Sequence, residues 1–287
     1  MKAILLPTDF SKNSMNAVDY AMNLFKDETC EFYVLNIQKA SSFISDDLMT
    51  VTSSATIYQT LIDAAKKSIT NLINKVEKKH KNLKHNFHSI VDYDNFIDAI
   101  NQICKAKKID LIVMGTKGAS GLDKVIFGSN TVRVMQRCST PVLAIPSGCK
   151  FIGMDKVVFS SNYLTLYNLE ELIPLLHIVN LYDSKIDILH LIDENNLSEN
   201  QQNNKAFLDL SFGKVTHEFI DLESKDIFKT IQRYIAFNDI KMLAMMSRKH
   251  SFLERLFTTH NVETFAFKIN VPFLVMENSG NQYKAAN

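Results

Sequence analysis

Short, nearly uninterrupted apolar runs alternate with longer amphipathic stretches along this chain. Residues 2–11, KAILLPTDFS, begin as a buried strand and end on the polar Pro-Thr-Asp. Ser11 or Asn13 can cap a following helix, whose apolar positions Met15, Val18, Ala21, Met22 and Phe25 recur at helical spacing. Residues 31–37, EFYVLNI, read as a second strand. A Ser/Thr/Asp-rich loop at 41–54 then precedes a long helix over 56–79. NFHSIVDY (86–93), DLIVMG (110–115) and TPVLAIPS (140–147) add three strands, and NFIDAINQICKAK (95–107) and residues 129–138 add two helices. Such alternation predicts a parallel sheet covered on both faces.

The order then starts again. DKVVFSSNY (155–163) matches the first strand and its polar end, residues 166–182 read as a helix, and KIDILHLID (185–193) as a strand. The Asn/Gln-rich residues 195–204 read as a loop or insertion. KVTHEFIDL, DIFKTIQRYIAF, IKMLAMMS and VPFLVMEN complete the series. The most direct parallels are CSTPVLAIPS against INVPFLVMEN, and GLDKVIFGSN against FLERLFTTHN. The chain therefore reads as an internal duplication. Two tandem doubly wound α/β domains of five parallel strands, residues 1–148 and 154–280, are joined at about SGCKFIGMD.

Composition narrows the function classes. Of 287 residues, 46% are hydrophobic and 22% charged, with a net charge of +1, which gives no electrostatic case for nucleic acid or an anionic membrane. The run KKHKNLKH (78–85) reads as a solvated helix end. Four cysteines, 30, 104, 138 and 149, form no metal-ligand spacing and read as free buried thiols of a reducing compartment. No stretch approaches the roughly 18 apolar residues of a membrane span. The expected location is the cytoplasm.

The chemistry concentrates after the fourth strand. Four of the chain's eight glycines stand at 115, 118, 121 and 128. Glycine after a buried parallel strand permits positive φ and close approach of a ligand, and outward N–H groups suit phosphate. Gly128-Ser129 opens a predicted helix, whose N-terminus favours an anion, and the Ser129 hydroxyl can cap that helix or donate to phosphate. The plainer alternative is that these glycines make turns. If each sheet has the order 3-2-1-4-5, Asp9 at the end of the first strand and Gly115 at the end of the fourth face one crevice at the topological switch point. There Asp9 can accept from ribose hydroxyls; the alternative is a capping or turn aspartate.

PTDFS, GTKGASGLDKVIFGS and TPVLAIP together resemble the universal stress protein family, in its adenine-nucleotide-binding, UspA-like form. The family's signature of Gly, two residues, Gly, nine residues, Gly and Ser or Thr is met by Gly115, Gly118, Gly128 and Ser129. The resemblance runs along the chain as a tandem pair and implies roles by position. Pro7, Thr8 and Asp9 would hold the ribose or adenine side, Ile37 would meet adenine, and Met114 and Gly115 would line the ribose and phosphate side. Lys117, Gly118, Gly128, Ser129 and Asn130 would surround the phosphates. It further implies that the last strands of the two halves pair across a pseudo-two-fold, as an intramolecular pseudo-dimer; a further homodimer is left open.

The second half departs from this pattern. Alignment sets Met246 under Gly115, Lys249 under Gly118, Thr259 under Gly128, His260 under Ser129 and Asn162 under Asp9. Bulky or β-branched residues resist positive φ, so the expectation is one nucleotide site per chain, in the first half. No nucleophile elbow, HExxH, P-loop lysine or paired catalytic carboxylates are present. The leading reading is a stress-response regulator that binds ATP or another adenine nucleotide, with or without Mg²⁺, and presents the result to an unidentified protein partner. A weak ATPase or self-phosphorylating enzyme, and a scaffold without a ligand, are the alternatives.

Overall fold

The computed structural model describes residues 1–38, 54–93, 95–116, 128–161, 163, 167–190, 197–213, 215–219, 227–247 and 270–277. Ten strands join in one sheet. In chain order they are β1 (Ala3–Pro7), β2 (Cys30–Ile37), β3 (His85–Asp92), β4 (Leu111–Gly115), β5 (Val142–Ile145), β6 (Lys156–Ser161), β7 (Lys185–His190), β8 (Val215–Phe219), β9 (Met242–Ser247) and β10 (Phe273–Glu277). Their spatial order is β3-β2-β1-β4-β5-β10-β9-β6-β7-β8. Each half therefore has the predicted order 3-2-1-4-5, and all pairs within a half are parallel. The halves meet where β5 and β10 run antiparallel, with Leu143 opposite Leu274 and Val142 opposite Val275. That is the pseudo-dimer, and it covers what would otherwise be two exposed sheet edges.

The apolar runs explain the central strands. Parallel strands buried on both faces need side chains that tolerate apolar surroundings whichever way they point. Accordingly Ile4, Leu5, Leu6, Leu111, Ile112, Leu143 and Leu274 are all fully buried. On one face the core is built with α1 (Lys12–Leu24), α2 (Ser54–His80), α5 (Leu169–Tyr182) and α6 (Glu199–Phe212), through residues such as Ala21, Ile69, Leu172 and Leu208. On the other face α3 (Phe96–Lys107), α4 (Ser129–Arg137) and α7 (Ile227–Phe237) supply Ile100, Val134 and Ile231. Both cores run through the seam between the halves.

Side-chain contacts reinforce that seam. Tyr182 donates to the Leu24 carbonyl at 2.5 Å, and His177 lies 2.6 Å from Glu28. Phe151, in the connection between the halves, packs edge-on against Tyr20 and at a tilt against Tyr182. Asn16 donates to the carbonyls of Pro146 and Cys149.

Two expectations are corrected. Residues 199–212 are helix α6, whereas 195–204 read as a loop. Ser198 and Gln201 form a reciprocal capping box at its start, which satisfies end N–H groups that a sequence poor in apolar periodicity gives no reason to expect ordered. Asn204 is buried and donates to the Tyr163 carbonyl at 2.7 Å, so this polar helix is held partly by hydrogen bonds. The second correction concerns the thiols: all four are free, but Cys149 is only partly buried. Among the described residues no helix is long and apolar enough to cross a membrane.

Candidate functional site

At the carboxyl end of the first half's sheet, where β1 pairs with both β2 and β4, the chain direction of the crossovers reverses and a cleft of about 1060 Å³ opens. This is where an open α/β sheet leaves room for a ligand. Pro7, Thr8, Asp9, Ile37, Met114, Gly115, Gly128, Ser129 and Asn130 all line it. Lys117 and Gly118 lie outside the described residues, as does Gly121.

The loop after β1 is built by its own polar atoms. Phe10 takes a left-handed φ of 60°, and its N–H donates to Thr8 Oγ1 at 3.0 Å. The Thr8 hydroxyl donates to Ser14 Oγ, and Asn36 at the end of β2 donates to the Thr8 carbonyl at 2.7 Å. Asp9 Oδ1 accepts from the Ser11 N–H at 3.0 Å, and Ser11 caps α1. The turn reading of Asp9 is therefore realised, and Asp9 also lines the cleft. Burial pushes its pKa upward, but hydrogen bonds from Ser11 and Ser14 outweigh that effect and hold it below the usual carboxylate value. At neutral pH the cleft carries a carboxylate here, well suited to accept from hydroxyl groups.

The described glycines serve the site for reasons other than positive φ. Gly128 sits at φ −62° and ψ 148°, and Gly115 is likewise outside the left-handed region. At Gly115 space is the requirement. A Cβ there would lie 2.6 Å from the Asn13 carbonyl oxygen and 2.8 Å from its carbon, so only glycine lets the first turn of α1 settle against the end of β4. Ser129 does not cap α4; Gly128 occupies the N-cap position, and among the described residues no side chain caps that end. Of the helices that open on the cleft, α1 is capped by Ser11 and α3 by Asn95. With no side-chain cap among the described residues, the N-terminus of α4 offers its first N–H groups and the positive end of its dipole to an anion.

Several lining residues escaped the sequence reading. Tyr93, Asn95 and Phe96 form the wall from the β3–α3 connection, and Thr116, Thr131 and Arg133 extend the wall next to α4. Thr131 donates to the Gly115 carbonyl at 3.1 Å and fixes α4 against β4. Asn95 was within reach of sequence reasoning: as the cap of the helix after the third strand, it must stand at the same sheet edge as Asp9. Thr116 stands at a variable position of the glycine signature and Arg133 beyond its end; only their placement shows them.

The corresponding edge of the second half keeps the loop device but turns it inward. The Tyr163 N–H donates to Ser161 Oγ at 3.0 Å, and Tyr163 has φ 53°. His190, at the end of β7, lies 3.0 Å through Nδ1 from the Ser161 carbonyl. These three residues repeat the arrangement of Phe10, Thr8 and Asn36. Phe10 is 36% exposed, however, while Tyr163 is fully buried and stacked on His190 with ring centres 4.1 Å apart. Sheet register also sets Met246 at the position of Gly115, and Met246 packs against the core. Asn162, Lys249, Thr259 and His260 lie outside the described residues.

Comparison with known proteins accords with this architecture. Residues 1–146 match the family model described as "Universal stress protein family". A universal stress protein from Methanocaldococcus jannaschii is 28% identical over 144 residues, covering 50% of this chain and 81% of the relative. A universal stress protein A homolog from Coxiella burnetii is 26% identical over 144 residues, 50% of this chain and 95% of its own. Among solved structures, a universal stress protein from Archaeoglobus fulgidus superposes with a TM-score of 0.72 at 18% identity, covering 96% of this chain and 98% of that one.

Proposed function

This chain belongs to the universal stress protein family, and from that premise and the cleft of its first half we propose that it is a cytoplasmic stress-response regulator that binds one adenine nucleotide per chain. The observation that carries this reading is the cleft at the β1/β4 switch point, with an ionised carboxylate, Asp9, on one wall and the uncapped N-terminus of α4 on another. An ionised acid and a bare helix N-terminus ask for opposite chemistries, hydroxyl donors and a phosphate anion, and a nucleotide carries both. Ile37, Met114 and Phe96 give the cleft apolar surface for a base. In this reading Pro7 and Thr8 position Asp9, and Gly115 keeps the floor low. Gly128, Ser129 and Asn130 take the phosphates, together with Lys117 and Gly118 of the glycine segment. The free thiols support a reducing compartment.

Calorimetric titration of ATP, with and without Mg²⁺, into the wild type and an Asp9→Asn variant tests the reading. Asparagine keeps an oxygen for the Ser11 N–H but loses the charge, and it is the residue of the second half. The expected result is one ATP per chain and a loss of roughly tenfold or more in affinity in the variant, the worth of one charge-assisted hydrogen bond. Two equivalents per chain, or none, contradicts the assignment. Following ADP release in the same samples separates a sensor, which returns ATP intact, from a hydrolase.

A further inference from the structure

Among the described residues, two donors on the α4 side of the cleft, Thr116 and Arg133, find no acceptor. Thr116 is fully buried, lines the cleft, and its Oγ1 has no hydrogen-bond partner. A valine would fill the same volume without leaving a hydroxyl stranded, so a hydroxyl here calls for an acceptor that the described residues do not provide. Arg133 stands one helical turn beyond Ser129 on α4, half-buried and lining the same cleft. Among the described residues its guanidinium has no carboxylate partner. Asp9 and Arg133 are the two charged side chains among the described residues of the lining, and they come from different elements, the end of β1 and the first turns of α4.

We infer that Thr116 and Arg133 read the phosphate chain, so that affinity rises with the number of phosphates and the site selects a nucleoside triphosphate over a monophosphate or a free nucleoside. This rests on the nucleotide reading above and specifies what that site prefers. Phosphate oxygens only accept, which suits a stranded hydroxyl donor and a five-donor guanidinium alike. The planar fork of arginine can engage two phosphate oxygens at once. A single phosphate at the α4 N-terminus would satisfy the helix; a longer chain, repelled by Asp9, extends along α4 toward Arg133. The same two charges fix the ligand's direction, with sugar hydroxyls at Asp9 and the terminal phosphate at Arg133.

The test is calorimetric titration of ATP, ADP, AMP and adenosine into the wild type, Arg133→Gln, Arg133→Lys and Thr116→Val. Wild type is expected to bind in the order ATP, ADP, AMP, adenosine. Arg133→Gln should weaken ATP roughly tenfold to a hundredfold, as loss of a hydrogen-bonded charge does, weaken AMP less, and leave adenosine unchanged. Arg133→Lys, which keeps charge without the fork, should fall between. Thr116→Val should weaken the phosphate-bearing ligands alone. Unchanged ATP affinity in Arg133→Gln, or an equal loss for ATP and adenosine, overturns the inference while leaving the nucleotide site standing. So does a wild type that binds AMP as tightly as ATP. Failure of all four ligands to bind wild type overturns both readings.

Discussion

The two halves of this molecule share a loop, and the loop does opposite things. In each, a hydroxyl residue at the end of the first strand accepts from an N–H two residues on, and that residue has a left-handed φ. A side chain from the neighbouring strand lies within hydrogen-bond distance of the hydroxyl residue's carbonyl. In the first half the aromatic ring of this loop stands at the surface and a cleft opens beside it. In the second the ring is buried against His190. A difference at the fourth strand accompanies this one. Gly115 lets α1 begin directly after Ser11, in backbone contact with β4. Met246 needs room, and α5 begins only after the longer segment that ends at Asn168. The same topology thus makes an open cleft beside one loop and buries the ring of the other. Backbone hydrogen bonding is common to both; side-chain volume at two positions separates them.

The contrast can be broken most severely at the seam the halves share. Val142 is fully buried opposite Val275, so Val142→Asp places a charge there with no partner. We expect a loss of about 3–5 kcal/mol, the cost of an uncompensated buried charge, seen as a lower urea midpoint for both halves together. Gly115→Met, which gives the first half the side chain of the second, should cost about 1–3 kcal/mol by overpacking against Asn13 and should remove ATP binding in titration. The reverse change, Met246→Gly, should cost about 1–2 kcal/mol from lost packing and added chain freedom, and titration should show no second nucleotide, because the loop ring still fills its edge.

The smallest effect belongs to the first half alone. Burial pulls the pKa of His85, at the start of β3, below the ordinary histidine value. The unfolded chain then binds a proton near pH ~6.5 that the folded one resists. Stability is therefore complete above that value and declines as the pH falls through it toward the folded pKa. Urea midpoints taken from pH 7.5 to 5 should show the decline, and His85→Gln should flatten it.

Most of the fold was legible because parallel strands such as AILLP and LIVMG are apolar throughout, and the switch point follows from strand order. The seam was legible from the likeness of PVLAIP to VPFLVME. Helix α6 was not, because Gln201 and Asn204 enter its buried side through hydrogen bonds, which leave no apolar period. Of the four clustered glycines, Gly115 and Gly128 line the cleft, and at these two the reason is not positive φ: Gly115 is required by the approach of α1, and Gly128 is the N-cap residue of α4 at φ −62°. Thr116 and Arg133 were out of reach, since a hydroxyl and a guanidinium that find no acceptor among the described residues are properties of placement and not of sequence spacing.

The central claim is that one edge of the sheet is a nucleotide site and its counterpart is not. Hydrogen–deuterium exchange with and without saturating ATP tests it over the whole chain at once. The account predicts slower exchange in peptides covering Met114 to Thr116 and Gly128 to Arg133, with no change in those covering β9 and β10. Protection at both edges, or at neither, would contradict it.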